Sequence, residues 1–127
     1  MGTNNQAGFS NEGTFTPDDL HAGDFPIRTR KVTLVSGQNL IRGALLGQIT
    51  TGGKYTLSAS ASSDGSQTPK AILADDVNAS GGDKDAIVYL SGDFNEDALT
   101  YGTGHTAASV REGLRDLNIY LHTPVSR

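Results

Sequence analysis

Apolar residues in this chain fall into short runs set between polar, glycine-containing stretches, and the two densest runs lie near its middle. Ala71–Ala74 and Ala86–Leu90 are separated by a segment that includes Asn78-Ala79-Ser80-Gly81-Gly82-Asp83, residues that accept positive φ or bond their own backbone. The pattern predicts two strands joined by a turn or short loop. The second run is apolar at every position, which predicts a strand buried on both faces at the centre of a sheet. Ser91-Gly92-Asp93 then breaks the pattern. Asn95 is placed to cap a short helical turn over Glu96–Leu99, with acidic residues in the first turn where the helix dipole favours them.

The flanking segments read in the same way. Ile27–Val35 (IRTRKVTLV) is rich in β-formers and free of Pro and Gly, so it predicts a strand ending at the turn Ser36-Gly37-Gln38-Asn39. Its basic start marks either an edge strand guarded by charge or a strand given to a neighbour. In Leu40–Ile49, Gly43 marks a turn or bulge and Leu46–Thr50 a strand; Thr51-Gly52-Gly53 turns the chain into a partner strand, Lys54–Leu57. Ser58–Thr68 is a low-complexity loop, expected to be mobile or held by a neighbouring subunit. Near the end, Thr106 is a helix N-cap, and Ala107, Val110, Leu114 and Leu117 fall on one side of the helix it starts. Asn118 takes the left-handed cap and Ile119–Leu121 forms a last strand.

Residues 1–26 are polar and glycine-rich, with Phe9, Phe15, Leu20 and Phe25 as isolated apolar points. Such a stretch cannot fold alone. It reads either as an extended N-terminal arm whose Phe residues anchor in another subunit or as a disordered terminus in which they are incidental. The fold class is therefore α+β, mainly β: a small mixed β domain over 27–127 with one principal C-terminal helix, preceded by an extended N-terminal arm over 1–26.

The order A-I-L-A-x-D-V, G-G-D, A-x-V-Y, G-x-F-N-E-x-A-L across Pro69–Gly102 resembles the lambda-type head decoration proteins of tailed bacteriophages. Gly37–Gly47, Lys54–Leu57 and Val110–Leu121 extend the likeness over about Ile27–Leu121. The resemblance implies a non-catalytic homotrimer on the outer capsid surface of the virion, at three-fold positions, made in the host cytoplasm and stabilising the expanded head. Its partner would be the major capsid protein. The arm contacts the shell in that family, so the implied contact residues are Phe9, Phe15, Phe25, Arg28, Arg30, Lys31, Val32 and Leu34. The rival reading is a β-rich ligand-binding or adhesin-like surface module.

Composition narrows the alternatives. The 127 residues suit one domain, one that buries about 60–70% of its unfolded surface. Sixteen Gly, no Trp, four Phe and four Tyr describe a loop-rich β protein with few large anchors, a type that gains stability by oligomerising. A net charge of −4, with basic residues scattered apart from Arg28-Thr29-Arg30-Lys31, argues against nucleic acid as a partner. The absence of Cys removes disulfides, thiolate metal sites and Cys nucleophiles, and suits a reducing compartment. No run has the length of a membrane span and the N-terminus lacks the basic and apolar regions of a secretion signal, so a soluble chain with no membrane partner is expected.

Candidate chemistry is sparse. His21, His105 and His122 share no metal-ligand spacing. Asp75-Asp76 and Asp83/Asp85 could bind calcium through carboxylates, but they lack an EF-hand pattern, and acidic residues flanking turns are usually solvated. No G-x-S-x-G elbow supports a serine hydrolase, and Gly52-Gly53 lacks the lysine and helix of a phosphate loop. Glu96 and Asp97 fit a helical first turn better than an acid and base pair. No cofactor and no enzymatic activity are expected.

Overall fold

The computed structural model describes Leu20 and residues 26–123. These form eight strands and one α-helix: β1 Arg28–Leu34, β2 Asn39–Leu40, β3 Leu45–Gln48, β4 Tyr55–Leu57, β5 Pro69–Leu73, β6 Val77–Asn78, β7 Lys84–Asn95, α1 Ala107–Arg115 and β8 Ile119–His122. The main sheet runs β1-β4-β3-β5-β7-β8, and a further pairing of β1 with β7 closes its first five strands into a small barrel. β2 and β6 form a separate two-stranded ribbon. The expected mainly β domain with one helix is present. Phe9, Phe15 and Phe25, with the rest of the arm other than Leu20 and Pro26, lie outside the described residues.

Two cores share the barrel wall. One is the barrel interior, filled by Leu34, Leu46, Tyr55, Ala71, Leu73, Ala86 and Val88. The other lies outside the wall, where Leu45, Ile72 and Phe94 meet Val110 and Leu114 of α1, and Ile119 and Leu121 of β8. Successive side chains of a strand point to opposite faces, so neighbours such as Leu45 and Leu46 feed different cores. β3 and β5 are thus the doubly buried strands. Leu20 is 2% exposed in the second core, and its carbonyl accepts from Asn95 N at 2.6 Å. A residue read from sequence as part of the arm is therefore part of the domain's packing.

β7 is not at the middle of the sheet order, where it stands next to β8, although it pairs with three strands, β1, β5 and β8; its burial and length also differ from the expectation. It is bonded to β1 and β5 in its first part, yet Ile87 remains 37% exposed on the outer face. The run is apolar throughout without being buried on both sides, because nothing described covers the outer barrel face there. Ser91-Gly92-Asp93 does not end it. At Gly92, with φ 142°, the strand exchanges partners and continues as Gly92–Asn95 in parallel pairing with β8.

The loop over Ser58–Thr68 is also corrected. It is fastened to its own chain: Ser58 N donates to Leu45 O at 3.0 Å, Ser60 N to Thr103 O at 3.0 Å, and Thr50 N to Asp64 O at 2.8 Å. Ser58 and Ser66 are buried. Their carbonyls lie so close to Gly102 and Gly47 that a Cβ at either glycine would overlap them. Small residues here are what lets the loop come down on the barrel.

α1 begins where expected. Thr106 caps it in a reciprocal box with Ser109, Val110 and Leu114 are buried, and Asn118 has φ 67°. Leu117 departs from the expected stripe: the helix stops at Arg115 and Leu117 is 41% exposed. Asn95 caps the 3-10 turn Glu96–Ala98 by accepting from Asp97 N.

Candidate functional site

β1 is held firmly although its side chains are mostly exposed. Pro26 O accepts from Ser91 Oγ at 2.9 Å, and the same hydroxyl accepts from Arg28 N at 3.1 Å. From there β1 runs antiparallel to β7, pairing Arg30 with Val88, Lys31 with Ile87, Val32 with Ala86 and Leu34 with Lys84. The basic strand is therefore bonded within its own chain, as the seam that closes the barrel. On its other side it meets β4 through the single register pair Leu34 and Tyr55, so the edge of Arg28–Thr33 carries no ladder among the described residues.

Directly opposed residues in an antiparallel pair share a face. Val32 and Leu34 point inward with Ala86, and Arg30 lies in the same row opposite Val88 but is exposed. Lys31 and Ile87 face outward together. Lys31 pairs with Asp85 at 3.7 Å, both side chains being more than half exposed, an arrangement worth about 0–1 kcal/mol. Among the described residues no carboxylate stands within ion-pair distance of Arg28 or Arg30. Ile27 is 48% exposed, and its Cγ1 would stand 3.3 Å from a Cβ at Gly92, just beyond the Phe94 ring atoms at 3.1 Å.

The sequence-designated residues thus divide. Arg28, Arg30 and Lys31 form an exposed basic strand; Val32 is half-buried; Leu34 is fully buried and offers no side-chain surface. Ile27 and Ile87, which add apolar area beside the basic residues, were not singled out by sequence. Ile87 was masked by the uniformly apolar run around it.

Other candidate chemistry is occupied locally. Asp76 Oδ1 accepts from Arg42 N at 2.8 Å, while Asp83 accepts from Ser36 N at 2.8 Å and pairs with Lys54 at 2.5 Å. The Lys54 ammonium and the Ser36 amide hold the Asp83 carboxyl below its ordinary value. Among the described residues no three His, Asp or Glu side chains converge as metal ligands. Glu96 is bound to Arg111 at 2.8 Å rather than to Asp97. Beside it, Tyr101 donates to Glu96 O at 2.7 Å, and burial plus the Glu96 and Asp97 charges push its hydroxyl up to about 12.

The structure does bring one Ser and one His together. His105 Nε2 is 3.1 Å from Ser58 Oγ, but that hydroxyl already donates to Ser66 O at 2.6 Å. The imidazole must then be the donor, the reverse of what a general base does for a nucleophile. Ser58 is also fully buried. The pair fastens the loop.

Compared with known families, residues 10–120 match the model described as bacteriophage lambda head decoration protein D. A comparison with curated proteins gives no match.

Proposed function

The chain belongs to the bacteriophage lambda head decoration protein D family, a structural family of the phage head, and on that premise we propose that it cements the expanded capsid as a homotrimer. In this reading three copies sit at three-fold positions on the outer surface and bridge neighbouring major capsid proteins. The exposed basic strand, Arg28, Arg30 and Lys31, faces acidic groups of the shell, and Phe9, Phe15 and Phe25 of the preceding segment supply apolar anchors. A ligand selective for one state stabilises that state by mass action, so binding after expansion opposes the pressure of packaged DNA. Three linked contacts add avidity beyond any single one.

The observation that supports the contact surface is the combination in β1 of Arg28 and Arg30, which no carboxylate among the described residues pairs, with a backbone pinned by Ser91 and β7. A rigid strand presenting basic side chains loses little conformational freedom on docking. Two changes to the chain separate the parts of this reading. Removing residues 1–19, which keeps Leu20 in its core, is expected to preserve the fold and the trimer while abolishing co-sedimentation with expanded heads. Arg28→Glu combined with Arg30→Glu is expected to weaken head binding with an unchanged melting temperature. Undiminished binding by both variants would end the reading, and a monomer by native mass spectrometry would end its trimeric part.

A further inference from the structure

The loop between β4 and β5 carries Asp64-Gly65. Among aspartyl dipeptides Asp-Gly is the one whose backbone most readily rearranges, because glycine has no side chain to shield its nitrogen. That nitrogen attacks the aspartate Cγ and loses its proton, one carboxyl oxygen leaves as water, and a cyclic succinimide forms. Hydrolysis at the ring's other carbonyl returns the water and leaves the main chain running through the former side chain, as isoaspartate. The product has the mass of the starting chain and needs no oxidant or cofactor.

Asp64 is exposed, so burial does not protect it. The glycine cannot readily be exchanged for a safer residue either. Its φ is 101°, and a Cβ there would overlap Thr50 Oγ1 and stand 3.1 Å from Gln48 O. Instead, the reacting atoms are engaged elsewhere. Gly65 N donates to Gln67 Oε1 at 2.8 Å. Asp64 Oδ1 accepts from Ser66 N at 3.0 Å and from Ser66 Oγ at 2.5 Å, and Asp64 O accepts from Thr50 N at 2.8 Å. The Ser66 hydroxyl and amide also hold the Asp64 carboxyl below its ordinary value, and the carboxylate loses an oxygen less readily than the acid.

We propose that Asp64-Gly65 is a latent isoaspartate site that the folded loop keeps closed, with Gln67 occupying the attacking nitrogen. The cost of opening it is visible in the packing. An added backbone atom at position 64 would displace Ser66, whose carbonyl lies on Gly47 and receives the Ser58 hydroxyl. The lesion would therefore reach the barrel wall through β3.

The test ages the intact chain, its Gln67→Met and Gln67→Glu variants, and a free peptide spanning Ser58–Lys70 together at neutral pH. Isoaspartate at position 64 is then quantified by electron-transfer fragmentation. The intact chain is expected to form it several-fold more slowly than the peptide. Gln67→Met is expected to close most of that gap, and Gln67→Glu, which keeps an acceptor, to stay near the parent. Hydrogen exchange at the Gly65 amide supplies a readout that needs no variant: protection relative to the peptide is expected. Ageing of the parent at the peptide's rate, equal rates in the parent and a folded Gln67→Met, or an unprotected Gly65 amide would each overturn the proposal.

Discussion

Ser91 and Pro26, 65 positions apart, are joined by a hydrogen bond of 2.9 Å from the hydroxyl of one to the carbonyl of the other. Because the same hydroxyl accepts from Arg28 N, one buried side chain fixes both the entry into β1 and the register at which the barrel closes. Ser91→Ala is expected to cost about 1 kcal/mol, the net worth of such bonds, with a part-buried acceptor left unmatched. Urea titration gives the stability change. Faster amide exchange at Arg28, without change at Leu114, would place the effect at the seam.

The contact of the Ser58–Thr68 loop with the barrel is expected to be the most sequence-sensitive part of the fold. Gly47→Ala and Gly102→Ala each drive a methyl into a backbone carbonyl, and forced overpacking of this kind costs about 1–3 kcal/mol or more. Gly81→Ala meets nothing within 4 Å and should be nearly silent. Thermal melts of the three variants, ranked in this order, check the assignment.

Gly113 offers the opposite outcome. It lies in α1, exposed, with open space where a Cβ would go. Gly113→Ala is expected to raise stability by up to about 1 kcal/mol, as alanine replaces glycine in a helix interior. No gain in the denaturation midpoint would mean that α1 is already fixed entirely by its packing.

Acid sensitivity should pass through Asp83. Its carboxyl lies below the ordinary 3.8 in the folded chain, so its stabilising effect is complete above that value and fades as pH falls through the folded one. Asp83→Asn is expected to lower the melting temperature at neutral pH and to flatten the fall of stability at acid pH. At the alkaline end the sign reverses. Tyr101 is raised to about 12 from 10.0, so stability associated with its neutral form is full below pH 10.0 and is lost towards 12. Tyr101→Phe should remove that alkaline component, measured as melting temperature against pH.

What sequence patterning shows here is mostly what neighbouring residues decide. Thr106, Val110, Leu114 and Asn118 mark α1 and its ends because caps and helical stripes are local. Asn95 is legible for the same reason. The partner of β1 is not, since a strand's pattern reports how much of it is covered and not what covers it. The exposure of Ile87 and the continuation of β7 beyond Ser91 depend on which strands lie alongside, and Gly92, a breaker by composition, is where the pairing changes hands. The Ser58–Thr68 loop was illegible because its packing comes from glycines elsewhere in the chain, at Gly47 and Gly102. Of the candidate contact residues, the exposed basic trio was readable from its charges, whereas the burial of Leu34 required the closed barrel.

The seam between β1 and β7 also sets a timetable for biosynthesis. Arg28 and Ser91 lie 63 positions apart, so the strand that leaves the ribosome first waits for one made much later before its ladder forms. Distant pairings are slow to form and leave nascent segments exposed. During that interval the unpaired strand is Arg28-Thr29-Arg30-Lys31, whose like charges repel the same segment of sister chains emerging from one polysome.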